Sequence, residues 1–263
     1  MKARGLAALG LLSLVPATSV DARPLRVLSL DQCADQYALA LAPDAELALS
    51  PRADDPDSHL KSLAQGRRQV RPTLEAATTF KPDVVIRYWG GDPRLLTALE
   101  RGGVKVTSLD DAMDFDGVRT NIRRVAQALE RHDAGEALVR DMDAKLRRAN
   151  TRPAASALYL TAGGFTAGSG TLIDAVFKAA GLRNLAPAPG YQPFSVERVV
   201  LEPPLRFVLA FFDQARADWR GAGRHPSVRR AAQSRTVASL PASLLTCPAW
   251  FAADAVERLG KGG

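Results

Sequence analysis

Two glutamates set in a repeated frame are the residues with the clearest chemical meaning in this sequence. Thr73, Glu75 and Pro82 return 122 residues later as Ser195, Glu197 and Pro204, and each set leads into an apolar run, Val84-Val85-Ile86 and Phe207-Val208-Leu209. Each frame reads as a hydroxyl N-cap, a carboxylate in the first turn of a short helix, a proline stop and a buried strand. A first-turn carboxylate complements the helix dipole by ~0.3–1 kcal/mol, which accounts for either glutamate alone but not for the recurrence. Matched acidic posts on matched lobes suggest a two-lobed binder that docks on a partner.

Other reactive residues form weaker sets. Asp54, Asp55, Asp57 and His59 crowd one loop, but His132 and His225 lie far off in sequence, so no zinc-type ligand set is expected and no metal is assigned. Gly163-Gly164 and Gly168-Ser169-Gly170 sit between a strand and a helix. They fail the dinucleotide fingerprint at Ile173, lack the Gly-Lys-Ser/Thr of a phosphate loop, and lack the flanking glycines of a nucleophile elbow at Ala167 and Thr171. Such a turn still lines the crevice of an open α/β sheet. No Ser/His/acid set stands out by spacing. Cys33 and Cys247 are the sole cysteines; they could pair in an oxidising compartment or stay as two buried thiols, and the sequence leaves both readings open. Tyr88 and Trp89 follow a strand and Tyr191 precedes the second short helix, so aromatic faces emerge in analogous places of the two halves, where they suit a large planar ligand.

The elements that must carry these residues alternate. Strands are expected at Arg26–Leu30, Glu46–Ser50, Asp83–Arg87 and Val104–Leu109, with helices at Ala34–Leu41 and Pro93–Arg101. After Pro153 the alternation restarts: strand Ala157–Thr161, helix Thr171–Ala180, short helix Val196–Leu201, strand Arg206–Phe211, helix Pro226–Gln233, strand Thr236–Leu240 and helix Trp250–Leu259. Gly117–Asn150 is helical by period, with Val118, Ile122, Val125 and Leu129 on one face and Leu138, Met142 and Leu146 on another. The expected fold is α/β: two Rossmann-like lobes with mostly parallel sheets, 23–115 and 151–263, joined semi-rigidly by connecting helices at 116–150.

The 263 residues carry a formal charge of +7. Lys2 and Arg4, an apolar run over Gly5–Val15 and small residues up to Ala22 read as a secretory signal peptide, 1–22, cleaved near Ala22; the run is too short to span a bilayer core of ~30 Å. Without it the charge is +6. Much of the excess lies in Arg216, Arg220, Arg224, Arg229, Arg230 and Arg235, with Trp219 as the single Phe, Tyr or Trp among them, so it reads as a solvated face and not as a nucleic-acid platform.

The chain resembles the periplasmic substrate-binding proteins of ABC importers for cobalamin, iron–siderophore and haem. The resemblance spans nearly all of the mature chain and rests on Arg26-Val27-Leu28-Ser29-Leu30, on Leu74-Glu75 through Lys81-Pro82-Asp83-Val84-Val85-Ile86, on Gly90-Gly91, on Gly168-Ser169-Gly170-Thr171-Leu172-Ile173 with Ala180-Gly181-Leu182-Arg183-Asn184, and on Ser195-Val196-Glu197. It implies capture without turnover: a metal-chelate or corrinoid ligand in an interlobe cleft, handed to an ABC permease dimer in the inner membrane, by a periplasmic monomer with no cofactor of its own. It places Glu75 and Glu197 at the permease contacts. Tyr88 and Tyr191 match cleft tryptophans of the cobalamin-binding member, and the ligand contacts expected with them are Trp89, Asp31, Cys33, Arg87, Phe165 and Leu245. A third aromatic of that pattern is Leu244 here, and the arginine often near it is missing. In such a fold Cys33 and Cys247 would face the cleft from opposite lobes. Two alternatives stand beside this one: an exported enzyme using Cys33 or Cys247 as nucleophile, and a ligand-binding sensor or adaptor.

Overall fold

The computed structural model describes residues 23–149, 155–214 and 220–261; the expected leader over 1–22, the junction before the second half and Arg216 lie outside them. In the first half β1 (Arg26–Ser29), α1 (Gln32–Leu41), β2 (Glu46–Ala48), α2 (Lys61–Ala64), α3 (Leu74–Phe80), β3 (Val84–Arg87), α4 (Pro93–Arg101) and β4 (Lys105–Ser108) follow in order. Two helices come next, α5 (Phe115–Ala128) and α6 (His132–Arg148). The second half holds β5 (Ala155–Thr161), β6 (Phe165–Ala167), α7 (Leu172–Ala179), β7 (Leu182–Asn184), β8 (Tyr191–Pro193), α8 (Val196–Leu201), β9 (Phe207–Ala210), α9 (Pro226–Ala232), β10 (Thr236–Leu240) and α10 (Ala252–Lys261).

Each half builds a four-stranded sheet, β2-β1-β3-β4 and β10-β9-β5-β7, and all its pairings are parallel. The sequence reason is visible in the central strands. Val84-Val85-Ile86 and Phe207-Val208 are apolar without alternation because helices cover both faces. The fold is therefore α/β with mostly parallel sheets, as expected from the alternation.

Local differences have local causes. The strand expected over Glu46–Ser50 stops at Ala48, and Leu49 makes one isolated bridge to Gln69. The strand expected to reach Phe211 stops at Ala210, because Phe211 adopts a φ of 62°. The last helix starts at Ala252, and Trp250 and Phe251 are buried in the turn before it. The helical stretch 117–150 is two helices packed on one another, broken where Glu130 takes a φ of 57°. The expected face Val118, Ile122, Val125 and Leu129 is buried, and α6 packs on α10 as well as α5. One continuous apolar core, running from Val27 and Tyr37 through Met142 to Tyr159 and Leu240, joins the two halves. Two smaller cores lie under α3 and α4 and under α8 and α9.

Candidate functional site

The first wall of the crevice is organised by a carboxylate that emerges at the end of β1. Asp31 is the N-cap of α1; its Oδ1 accepts from the backbone N–H of Cys33 at 3.1 Å and of Ala34 at 3.0 Å. Its Oδ2 accepts from the backbone N–H of Tyr88 at 2.7 Å, Trp89 at 3.1 Å and Gly90 at 2.9 Å. The loop after β3 thus hangs on one buried group. Gly90 is required there: a Cβ would stand 2.2 Å from the Leu30 carbonyl oxygen. Asp31, expected to touch ligand, is 1% exposed and its acceptor capacity is spent on backbone, so its place is behind the wall.

That loop presents Tyr88 and Trp89. The Tyr88 hydroxyl donates to Asp111 Oδ1 at 2.9 Å, and Asp111 follows the carboxyl end of β4. Trp89 is 58% exposed. Arg87 does not reach outward as expected; its Nε donates to the Gly90 carbonyl at 2.7 Å and its Nη1 to Ser108 Oγ at 3.3 Å, bracing the same loop.

The second wall is a two-stranded antiparallel ribbon, β6 with β8, that projects beyond the carboxyl end of β5. Its register pairs Phe165 with Pro193, Thr166 with Gln192 and Ala167 with Tyr191. Period two then puts Phe165 and Tyr191 on one face and Thr166 on the other. Phe165 is 50% exposed and Tyr191 62%. Asn184 ties the ribbon to α7: its Nδ2 donates to the Ala167 carbonyl at 2.8 Å and to Asp174 Oδ1 at 3.1 Å. Gly168 is needed beside it, since a Cβ would lie 1.8 Å from the Ala188 carbonyl oxygen.

The two walls meet electrostatically. Desolvation raises the Tyr88 phenol pKa, and the hydrogen bond to Asp111, that residue's charge and the neighbouring Tyr191 raise it further. Tyr191 is raised by desolvation and then by Asp111. Both phenols are held neutral, Tyr88 with its proton directed at a carboxylate. The crevice so formed offers aromatic faces and two phenol oxygens, a hard-donor set able to meet a ferric centre or the polar edge of a planar chelate. No sequence signal beyond its position after a strand pointed to Asp111.

Behind the first wall, Cys33 and Cys247 are joined in a disulfide, with their Cα atoms 5.3 Å apart. They are 2% and 4% exposed, so neither faces the crevice as expected. The described residues contain no free cysteine, and the cysteine-nucleophile alternative has no thiol to use. The Tyr37 hydroxyl donates to the Pro248 carbonyl at 2.8 Å, and the Tyr37 ring meets Trp250 edge-on, reinforcing the same junction. Leu245 is partly buried against the main core. Of the acidic loop, Asp55 pairs with Arg52 and His59 stacks on Phe251 at 4.3 Å, and among the described residues no group of three or more His, Cys, Asp or Glu side chains is placed to hold a metal ion.

Glu75 and Glu197 are both exposed, in the first turns of α3 and α8. Thr73 Oγ1 accepts from Ala76 N–H at 3.2 Å, and Ser195 Oγ from Arg198 N–H at 3.1 Å, so the repeated caps form as read.

Two parallel α/β halves, a rigid helical and covalent junction and an aromatic crevice at the strand ends define a two-lobed binding protein. Residues 27–205 match the profile of the periplasmic binding protein family, and the chain belongs to it. It is 28% identical over 200 residues to a cobalamin-binding protein of Halobacterium salinarum, covering 72% of this chain and 54% of that protein; the chain thus spans about half the length of this relative. It is also 28% identical over 209 residues to a vitamin B12-binding protein of Photorhabdus laumondii, covering 73% of each. The solved structure of the periplasmic heme-binding protein BhuT in complex with two hemes superposes with a TM-score of 0.66 at 25% identity, over 90% of this chain and 98% of that one. Among the described residues, no helix is long and apolar enough to cross a membrane.

Proposed function

We propose that this chain is the exported, periplasmic substrate-binding component of an ABC importer, and that it captures haem, a corrinoid or an iron–siderophore in the crevice between its halves. The observation that carries the reading is the approach of Tyr88 and Asp111 from one half to Tyr191 from the other, with Phe165 exposed on the same ribbon face as Tyr191. Relatives described as cobalamin-binding and haem-binding support the ligand class. A phenol backed by a carboxylate favours haem or a ferric chelate within that class, because Asp111 can take the proton when Tyr88 binds metal. Export rests on the N-terminal pattern and the family.

Glu75 and Glu197 serve as the two permease contacts, one per half. Both stand exposed on short helices of matching sequence position, as acidic docking posts require.

Tryptophan-quenching titration against haemin, cobalamin and a siderophore panel tests the ligand. The expected result is a Kd below ~10 μM for one of them, about −7 kcal/mol, weakened at least tenfold by Tyr88→Phe. Binding of none would overturn the reading. Docking is tested by Glu75→Lys with Glu197→Lys, which should abolish uptake and leave ligand affinity unchanged.

A further inference from the structure

The repeat that sets Glu75 and Glu197 in register also sets Phe80 against Glu202, and there the two halves part company. Along α3 and α8 the corresponding positions share one burial pattern, with Ala77 and Val199 inward and Thr78, Thr79, Val200 and Leu201 outward. Phe80 closes α3 by turning fully inward, at 0% exposure, into the core of Leu28, Val85 and Leu99. The guanidinium groups of Arg26 and Arg68 lie 4.8 and 5.2 Å from its ring centroid. Glu202 turns out to solvent instead.

Beneath α8 a pocket of about 440 Å³ is left open, with Leu158 and Val199 on its apolar wall, Arg198 and Glu202 among its charged lining residues, and Thr166 also lining it. Thr166 is 1% exposed, and its hydroxyl has no hydrogen-bond partner among the described residues. A buried hydroxyl without a partner is costly unless something arrives to meet it. A shallower recess of about 370 Å³, lined by Glu197 itself with Arg198, Leu201 and Glu202, adjoins this pocket through the residues they share. Leu201 and Leu205, 72% and 79% exposed, extend the apolar surface outside.

We infer that this pocket is a socket for an aromatic side chain of the docking partner, seated next to the group that pairs with Glu197. This rests on the docking role proposed for Glu197. The first half shows what fits, since there the chain supplies its own ring, flanked by two arginines. The second half has an arginine of its own at the pocket, Arg198, and the apolar wall, but leaves the ring out. Thr166 selects for a ring bearing a hydroxyl, so tyrosine is the side chain the site describes. The two posts are therefore unequal: the first is a charge on a filled surface, the second a charge beside an anchor pocket, the combination that concentrates binding energy at interfaces.

The test uses the mature protein and 4-methylphenol, the tyrosine side-chain analogue, followed by methyl NMR. Saturable shifts at Val199 and Leu158, lost in Glu202→Phe, are expected; no saturable shift overturns the socket. Glu202→Phe restores the plug that the first half carries, so it should raise the melting temperature, leave haemin or cobalamin affinity unchanged and weaken docking to the permease at least about tenfold. Normal docking by Glu202→Phe, with 4-methylphenol excluded, overturns the partner assignment. Glu197→Lys in the same docking assay separates the two ideas: if it too docks normally, the docking role of α8 fails and not just the socket.

Discussion

The two walls of the crevice do the same job by different means. The first hangs three consecutive backbone N–H groups on a single buried oxygen of Asp31. The second is a ribbon whose strands satisfy each other, with Asn184 as an added tie. A clamp that converges on one atom places the aromatic loop with few residues and is vulnerable at one position. A ladder spreads the same duty over several backbone bonds, and no single side chain is decisive.

The largest expected effect comes from unhooking the first wall from the second half. Cys33→Ser should cost about 4–5 kcal/mol, because a link across 214 residues strongly restricts the unfolded chain. Urea unfolding with and without reductant measures it, and equal midpoints for reduced and oxidised protein would refute it. Asp31→Ala follows at about 3–4 kcal/mol, since five backbone donors lose a charged acceptor, with ligand affinity falling as the Tyr88 loop loosens. Asn184→Ala, the corresponding cut in the second wall, should cost only about 1 kcal/mol; a cost matching that of Asp31→Ala would break the contrast.

Between these lies a pH effect in the first half. Asp35, fully buried on α1, has its carboxyl pushed up to about 6 from 3.8 by desolvation, against lowering hydrogen bonds from Ser50. A carboxyl raised on folding stabilises the protein fully below its unfolded value, and that stability is lost as pH rises from about 4 through about 6. Asp35→Asn should therefore flatten the stability profile across that window and gain about 2 kcal/mol at pH 8, read from urea midpoints at stepped pH.

Long-period features were legible in the sequence and single-atom ones were not. The strands, the capped helices at Thr73 and Ser195 and the apolar face from Val118 to Leu129 all carry repeating signals that survive without coordinates. β6, β7 and β8 have three residues each, too few for a period to register, so Tyr191 read as loop. Asp31 stood among the expected ligand contacts, yet an aspartate after a strand faces either the crevice or the next helix, and only the fold decides between them. Asp111 was invisible because its meaning depends on a tyrosine from another strand. The inequality of α3 and α8 was already present in Phe80 and Glu202, yet it acquires meaning only when one side chain is seen buried and the other out.

The disulfide bears on how the protein is made. Cys33 has its partner 214 residues further along the chain, and it sits two residues after the carboxylate that holds the Tyr88 loop. During synthesis the whole first half is made long before Cys247 emerges. Through that interval Cys33 is an unpaired thiol at the start of α1. The covalent link between the halves must therefore close after most of the chain has been made, so oxidising conditions form part of this protein's assembly.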